Sequence, residues 1–363
     1  MKTTMKHTIL LASLSALCGQ AHAAADGFNF YGLIDGGTAT TKITGAGGSS
    51  RSEFVTGGYA PNFVGMTGQK SLSSGLKGGF QLEQGFLLNN NPCAGPGGCT
   101  NSNSRFWFGD DSAFNRSANV YVEGSFGTVR FGTQGNIAFA PLLMIDPRFA
   151  SNYGSSLAAI DIDGGLGTRD NSALSYTSPS YSGFSGAIST VASQRTNLTG
   201  TITSGYRLAG TYKMNNFGAT AAYYKNNPAV GRDADGTIMG ATYKINAFTL
   251  KGMYVKQDNG GALRALKTTG FGGAYDATPE LTLDAGIYTS KDTAARYKQK
   301  TLGFGAQYKI IKDLSLYAQY ASVKNDGTAL ASFNFAGPTI QAFQITSGQK
   351  ATTINVGALF AFF

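Results

Sequence analysis

The charged residues best placed to do chemistry fall in one stretch. Asp146, Arg148, Asp161, Asp163, Arg169 and Asp170 put four carboxylates and two guanidiniums close together in the chain. Neighbouring acids can act as general acid and base, and Asp161-Ile-Asp163-Gly opens like a calcium loop. The calcium pattern then fails, because its third acid and closing Glu are missing. General acid–base chemistry lacks its usual agent as well. The only histidines are His7 and His22, both within the first 23 residues. Beyond residue 23 there is no imidazole to act as base or to bind metal, and no His-containing triad. Walker A, G-x-S-x-G, H-E-x-x-H and dinucleotide patterns are absent too. No enzyme and no cofactor are expected. What remains is charge concentrated in one segment, which suits electrostatic work rather than bond-making.

Residues 1–23 read as a secretory signal peptide. Lys2 and Lys6 precede an apolar run from Ile9 to Cys18, and Ala21-His22-Ala23 fits the cleavage pattern. Removing it takes both histidines and two lysines, leaving 27 basic against 20 acidic residues, a net charge of +7. The basic residues are dispersed, so no nucleic-acid partner is expected. Export implies an oxidising compartment, where Cys93 and Cys99 are expected to form a local disulfide. The ring is short, so its chain-entropy stabilisation is only about 2 kcal/mol.

The elements that must position the charged stretch are strands. Glycine numbers 50 of 363, Tyr and Phe total 18 and 24, and charged residues are only 13%. Period-two alternation runs through nearly the whole chain from residue 24 to 363. In Leu281-Thr-Leu-Asp-Ala-Gly-Ile-Tyr288 the apolar residues take one face and Thr282, Asp284, Gly286 and Tyr288 the other. About sixteen such segments are predicted, among them 59–70, 280–290, 300–309, 314–323 and 352–363. Their connections alternate: seven short turns, such as Asn215-Asn216, separate eight long loops, of which 137–170 is the longest. An all-β, antiparallel up-and-down transmembrane barrel keeps this rhythm, with short turns at one rim and long loops at the other. Hydrocarbon offers no partner to a bare backbone N–H or C=O, so such a sheet must close. Outer-membrane lipid is then one partner, and sixteen strands leave a wet interior.

Phe30-Tyr-Gly-Leu-Ile-Asp-Gly36, Gly75-Leu-Lys-Gly-Gly-Phe-Gln-Leu-Glu-Gln-Gly-Phe86, Phe114-Asn-Arg-Ser-Ala-Asn-Val120 and Phe126-Gly-Thr-Val-Arg-Phe-Gly-Thr-Gln134 resemble, in order and spacing, the Gram-negative general porins of β-proteobacterial type. The resemblance covers the mature chain. It implies a 16-stranded homotrimer in the cell outer membrane that passes small hydrophilic solutes and ions. A substrate-selective porin and a structural or adhesive barrel are the alternatives. It implies that the third loop, 137–170, folds into the lumen and narrows it. It also implies that the terminal Phe363 addresses the outer-membrane barrel assembly machinery, with lipopolysaccharide as the outer-leaflet neighbour. Where relatives often carry arginines, this chain has Phe63, Thr67 and Thr133.

Within that frame Asp146, Arg148, Asp161, Asp163 and Asp170 are expected at the constriction, the two middle acids facing a basic wall. Strand parity turns Arg130, Lys77, Glu83, Glu123 and Arg207 inward as wall residues, with Arg130 the foremost because its strand leads into the third loop. Inward Tyr31, Tyr121, Tyr275 and Tyr288 are expected to be scattered. The excess of basic residues predicts a weak anion preference.

Overall fold

The computed structural model describes residues 26–86, 88, 114–162, 166–192, 194–196, 200–228, 233–258, 265–328, 331–332 and 344–363. The expected signal peptide, Cys93, Cys99 and Asp163 lie outside them.

The strands are β1 (Gly27–Thr44), β2 (Ser50–Thr56), β3 (Phe63–Ser71), β4 (Lys77–Gly85), β5 (Ser117–Gly124), β6 (Gly127–Gly135), β7 (Arg169–Thr177), β8 (Phe184–Val191), β9 (Gln194–Thr196) and β10 (Gly200–Met214). They continue as β11 (Phe217–Pro228), β12 (Ala234–Ile245), β13 (Phe248–Asp258), β14 (Leu266–Asp276), β15 (Leu281–Asp292), β16 (Tyr297–Ile311), β17 (Leu314–Asn325), β18 (Ala331–Ser332), β19 (Gln344–Ile345) and β20 (Lys350–Phe362). β18 and β19 pair only with each other. The rest form one antiparallel sheet in which β2 with β3, and β8 with β9, each make a single stave, giving sixteen. β1 closes the barrel on β20, from Gly32 opposite Phe362 to Thr44 opposite Lys350. No edge is left within the barrel.

Local sequence explains the short rim. Asn215 and Asn246 open tight turns with φ of 52° each, a left-handed backbone that Asn tolerates better than most residues. The outward face carries Phe30, Val120, Phe131, Ile188, Phe271, Ile287 and Ile354, all exposed and therefore facing lipid. Aromatic pairs mark the short-turn rim, as in Phe248 stacked on Tyr275 at 4.5 Å and Phe184 on Tyr212 at 4.2 Å. This corrects the inward placement of Tyr275, which shares the outward parity of Phe271 on β14.

The other inward tyrosines are spread over separate strands but share one local arrangement. Tyr31, Tyr121, Tyr224, Tyr288 and Tyr317 each stand directly across from a glycine: Gly65, Gly79, Gly236, Gly270 and Gly357. In all five cases a Cβ on the glycine would strike the tyrosine side chain. Each tyrosine side chain reaches over the facing glycine, filling the space that the missing side chain leaves open. Replacing Gly236 with Leu is therefore expected to force Tyr224 off its seat. A loss of about 1–3 kcal/mol follows from overpacking, read as a lower temperature for loss of the folded barrel's mobility in gel electrophoresis.

The second stave departs from expectation. Alternation predicts one strand over 59–70, but the chain is strand at 50–56, leaves the sheet at 57–62 and rejoins at 63. Gly57 turns with φ of 75°, and Pro61 has no N–H to give a ladder. Asp35, fully buried on β1, takes the place of the missing partner. Its carboxylate accepts the Tyr59 and Ala60 N–H groups at 2.6 and 2.7 Å and the Tyr317 hydroxyl at 2.6 Å. The break bends into the barrel.

Candidate functional site in the barrel interior

The connection from β6 to β7 lies inside the barrel. Its neck is closed by Asn136, whose amide donates to the Leu166 carbonyl at 2.5 Å and accepts the Ala138 N–H at 2.8 Å. Helix α1 (Ala140–Ile145) follows, with Pro141 in its first turn where an N–H is not needed. Leu142 and Ile145 are fully buried against the inward residues Ala222, Tyr224, Ile238, Met253 and Val255 of β11–β13. Fifteen buried residues make this cluster, an apolar seat that a pore wall facing only water would not carry.

Beyond α1 polar contacts take over. Asp146 accepts the Arg148 N–H at 2.7 Å, the Tyr288 hydroxyl at 2.6 Å and the Ser156 N–H at 2.9 Å. Its carbonyl accepts from the Lys251 ammonium at 3.0 Å, which also lies over the Phe149 ring at 3.6 Å. Arg148 is fully buried and donates to Asp284 at 2.5 Å, to Gln319 at 3.2 Å and to the Tyr153 carbonyl. Burial opposes its charge, but the Asp284 carboxylate together with Tyr288 and Tyr59 outweighs that, and its pKa lies above the ordinary arginine value. Phe149 and Ala150 are consecutive left-handed residues with φ of 56° and 54°. Such backbone costs energy and persists only where the surroundings fix it. Asn152 then grips the break in the second stave, its N–H and side-chain amide meeting the Tyr59 and Gly57 carbonyls at 3.0 and 2.5 Å. Asp161 is held through its backbone, between the two ends of the Gln257 amide at 2.9 and 2.7 Å.

Among the described residues the loop's side-chain contacts named above fall on β11–β17 and on the break in the second stave, and a second group of charges lies on the β4–β10 wall. On that wall Glu83 accepts from Arg116 at 2.6 Å, Arg169 at 3.4 Å and the Tyr31 hydroxyl at 3.0 Å. Asp170 pairs with Arg207 at 2.8 Å. Arg130 reaches the amides of Asn119 and Gln81 and lies over the Tyr121 ring at 4.7 Å. Lys77 and Glu123 face each other near the short-turn rim, 4.0 Å apart and partly exposed. Phe363 follows the end of β20 and is about half exposed.

The predicted residues therefore gather in two places. Asp146 and Arg148 belong to the loop's attachment, whereas Glu83, Arg130, Arg169, Asp170 and Arg207 belong to the β4–β10 wall, where they are buried or nearly so. Asp35, Arg116, Tyr288 and Tyr317 were not singled out from sequence as site residues. Inward parity was the available signal for Tyr288 and Asp35. Arg116 lies one residue ahead of its strand, where parity no longer applies.

A closed sixteen-stave barrel with an interior loop is an architecture shared with known proteins, and residues 10–328 match the family model described as Gram-negative porin. The chain belongs to the Gram-negative porin family. The porin is 26% identical over 379 residues to outer membrane porin protein 32 of Delftia acidovorans, covering 99% of this chain and all of that one. It is 30% identical over 193 residues to an outer membrane porin protein of Bordetella pertussis, covering 50% and 46% of the two chains. Among solved structures it is similar to the anion-selective porin from Comamonas acidovorans, with TM-score 0.74, 21% identity and coverage of 92% and 99%. Salmonella typhi OmpF shares the fold at TM-score 0.63, 15% identity and coverage of 94% and 99%. The porin is accordingly an outer-membrane protein whose barrel is a channel for passive diffusion of small hydrophilic solutes and ions.

Proposed function

We propose that the porin is a general diffusion channel with a weak anion preference, its narrowest level lying where the third loop, 137–170, faces the β4–β10 wall. One observation carries this reading. The β4–β10 wall holds four guanidiniums, Arg116, Arg130, Arg169 and Arg207, against the carboxylates Glu83 and Asp170; Arg116 and Arg207 are paired and fully buried and Arg130 and Arg169 only slightly exposed, so the excess acts on the lumen mainly through its field. Asp146 does not offset that excess, because it is turned away from the lumen into its own attachment, so only the remaining loop acids temper it and keep the preference weak. Asp161 and Asp163 are the loop acids we assign to the solute path, with Lys77 and Glu123 marking the wall nearer the periplasm. The similar porin from Comamonas acidovorans is anion-selective, which points the same way. We assign the assembly as a homotrimer without enzymatic activity, Phe363 as the recognition end for the barrel assembly machinery, and Cys93–Cys99 as a disulfide of an external loop.

The deciding measurement is the reversal potential of the refolded channel across a KCl gradient in a planar bilayer. Anion preference is expected for the wild type. Arg130→Glu removes one positive charge and adds one negative on a confined wall where water screens weakly. It is expected to abolish or reverse the preference, at a cost in stability because Arg130 is buried and donates to Asn119 and Gln81, and an unchanged potential in the folded variant would remove Arg130 from the wall. Cation preference in the wild type would overturn the reading itself.

A further inference from the structure

The apolar seat of α1 is wider than α1 itself. Inward residues of the sheet fall into rows that run from strand to strand at one level. One row reads Ala187, Ala209, Ala222, Ile238 and Val255, each directly opposite the next on β8, β10, β11, β12 and β13. It carries no polar side chain across five adjacent strands. Ala222, Ile238 and Val255 are buried, but Ala187 and Ala209 are only partly covered. The next row toward the short turns holds Thr211, Thr220 and Gly240, again without charge.

The loop continues the same surface. Ile137, Phe139, Leu143 and Met144 are partly exposed. The loop lies inside the barrel, so the space they are exposed to is the lumen. Phe139, Leu143, Met144 and Ala209 all pack against the buried cluster from its margin. Met144 extends the face toward the short turns, where a Cβ on Gly218 would stand 3.7 Å from its sulfur. The charges that follow α1, Asp146 and Arg148, are fully buried and take no part in this face. Apolar surface held against water is unfavourable in proportion to its area, and a solute that covers it is favoured to the same degree.

A cationic row adjoins the apolar one. One pleat nearer the long loops, Arg130, Ser175, Ser189 and Arg207 are directly opposite one another in turn on β6, β7, β8 and β10. On β10 the two rows meet, with Arg207 two residues from Ala209, about 7 Å along the strand. These guanidiniums are buried or nearly so and act on the lumen by field rather than by contact. The excess of guanidiniums over carboxylates on the β4–β10 wall sets the sign of the solute that this field draws past the apolar face.

We propose that the face formed by Ala187, Ala209, Leu143 and Met144 is an adsorption site for the hydrocarbon part of small organic monoanions. The channel then favours carboxylates with an apolar body over hydroxylated carboxylates of the same size and charge. The inference rests on the channel reading above and narrows its solutes. It joins an apolar lining to a few charges of one sign, the combination by which small-molecule sites orient amphiphilic ligands.

Bi-ionic reversal potentials of the refolded porin in a planar bilayer test it. Potassium isobutyrate faces potassium lactate at equal concentration and neutral pH. The two anions differ by a methyl group in place of a hydroxyl, and potassium is balanced, so any potential comes from the anions. Wild type is expected to pass isobutyrate about two- to fourfold more readily, the upper figure corresponding to full burial of one methyl group. Equal permeability, or a bias toward lactate, would overturn the proposal. L143N/M144Q makes the face polar without adding charge and is expected to remove most of the bias. A bias kept in full by the folded variant would place its cause elsewhere and overturn the assignment. If the double variant does not fold, M144Q alone takes its place with the same two outcomes. The KCl-gradient potential of the same wild-type preparation separates the two readings. Cation preference there sinks the anion reading, whereas anion preference without an isobutyrate bias sinks this inference alone.

Discussion

Asp284→Ala is expected to raise single-channel conductance and open-channel noise, and to make the third loop cleavable by added protease in a barrel that stays closed. Arg148 is fully buried, and Asp284, 136 residues away on β15, is its only carboxylate ion-pair partner among the described residues. Removing the acid leaves a guanidinium in the wall without the charge that makes its burial tolerable. Breaking a buried pair from one side costs about 3–5 kcal/mol. The barrel ladder does not depend on this pair, so the cost falls on the element that can move. Arg148 sits between Asp146, which fixes the end of α1, and the left-handed Phe149 and Ala150. Relief comes from lifting this turn away from β15 and β17. The apolar seat of α1 on β11–β13 stays, so the loop should loosen from its middle rather than leave the lumen. Conductance and noise identical to wild type would show that the ion pair does not hold the loop.

Much of this architecture is visible in the sequence because the bilayer imposes it. A strand between lipid and water must alternate, and a closed barrel must turn tightly at one rim, so Leu281–Tyr288 and Asn215-Asn216 declare themselves. Strand ends are less legible, for a physical reason. Above the hydrocarbon both faces are polar and alternation fades while the ladder continues. The segments predicted at 280–290, 314–323 and 352–363 extend to Asp292, to Asn325 and back to Lys350. Lys291, Lys324 and Lys350 are strand residues in those extensions, so a charge excess first read as lumenal belongs partly to the outer rim. The third loop's charges were equally visible, but their directions were not. The partner of Arg148 is 136 residues away and that of Asp146 is 142 residues away. Only the closed barrel brings β15 to the loop.

The break in the second stave gives the loop its other hold, and here the larger loss of stability is expected. In Asp35→Ala two backbone N–H groups and the Tyr317 hydroxyl lose their acceptor at a fully buried position. Each buried polar group left unpaired costs about 1–3 kcal/mol, so the three together should exceed any single contact in the loop. Tyr317→Phe removes the hydroxyl's bonds to Asp35 and Asn355 but leaves Asp35 its two backbone donors, and should cost about 1–2 kcal/mol. The order Asp35→Ala well below Tyr317→Phe, with Tyr317→Phe slightly below wild type, is the expected ranking of heat-modification temperatures. Comparable values for the two variants would show that solvent reaches Tyr59 and Ala60. The two holds should also be coupled. Asn152 grips the Gly57 and Tyr59 carbonyls that Asp35 keeps in place, four residues along the loop from Arg148. With both anchors gone, the loop keeps the apolar seat of α1, the Tyr288 bond to Asp146 and the Gln257 clasp on Asp161, but neither the ion pair nor the break ties the turn at 148–152 to the wall. The conductance gain of Asp35→Ala with Asp284→Ala should therefore exceed the sum of the single gains. Strict additivity would mean that the break and the ion pair fix separate parts of the loop.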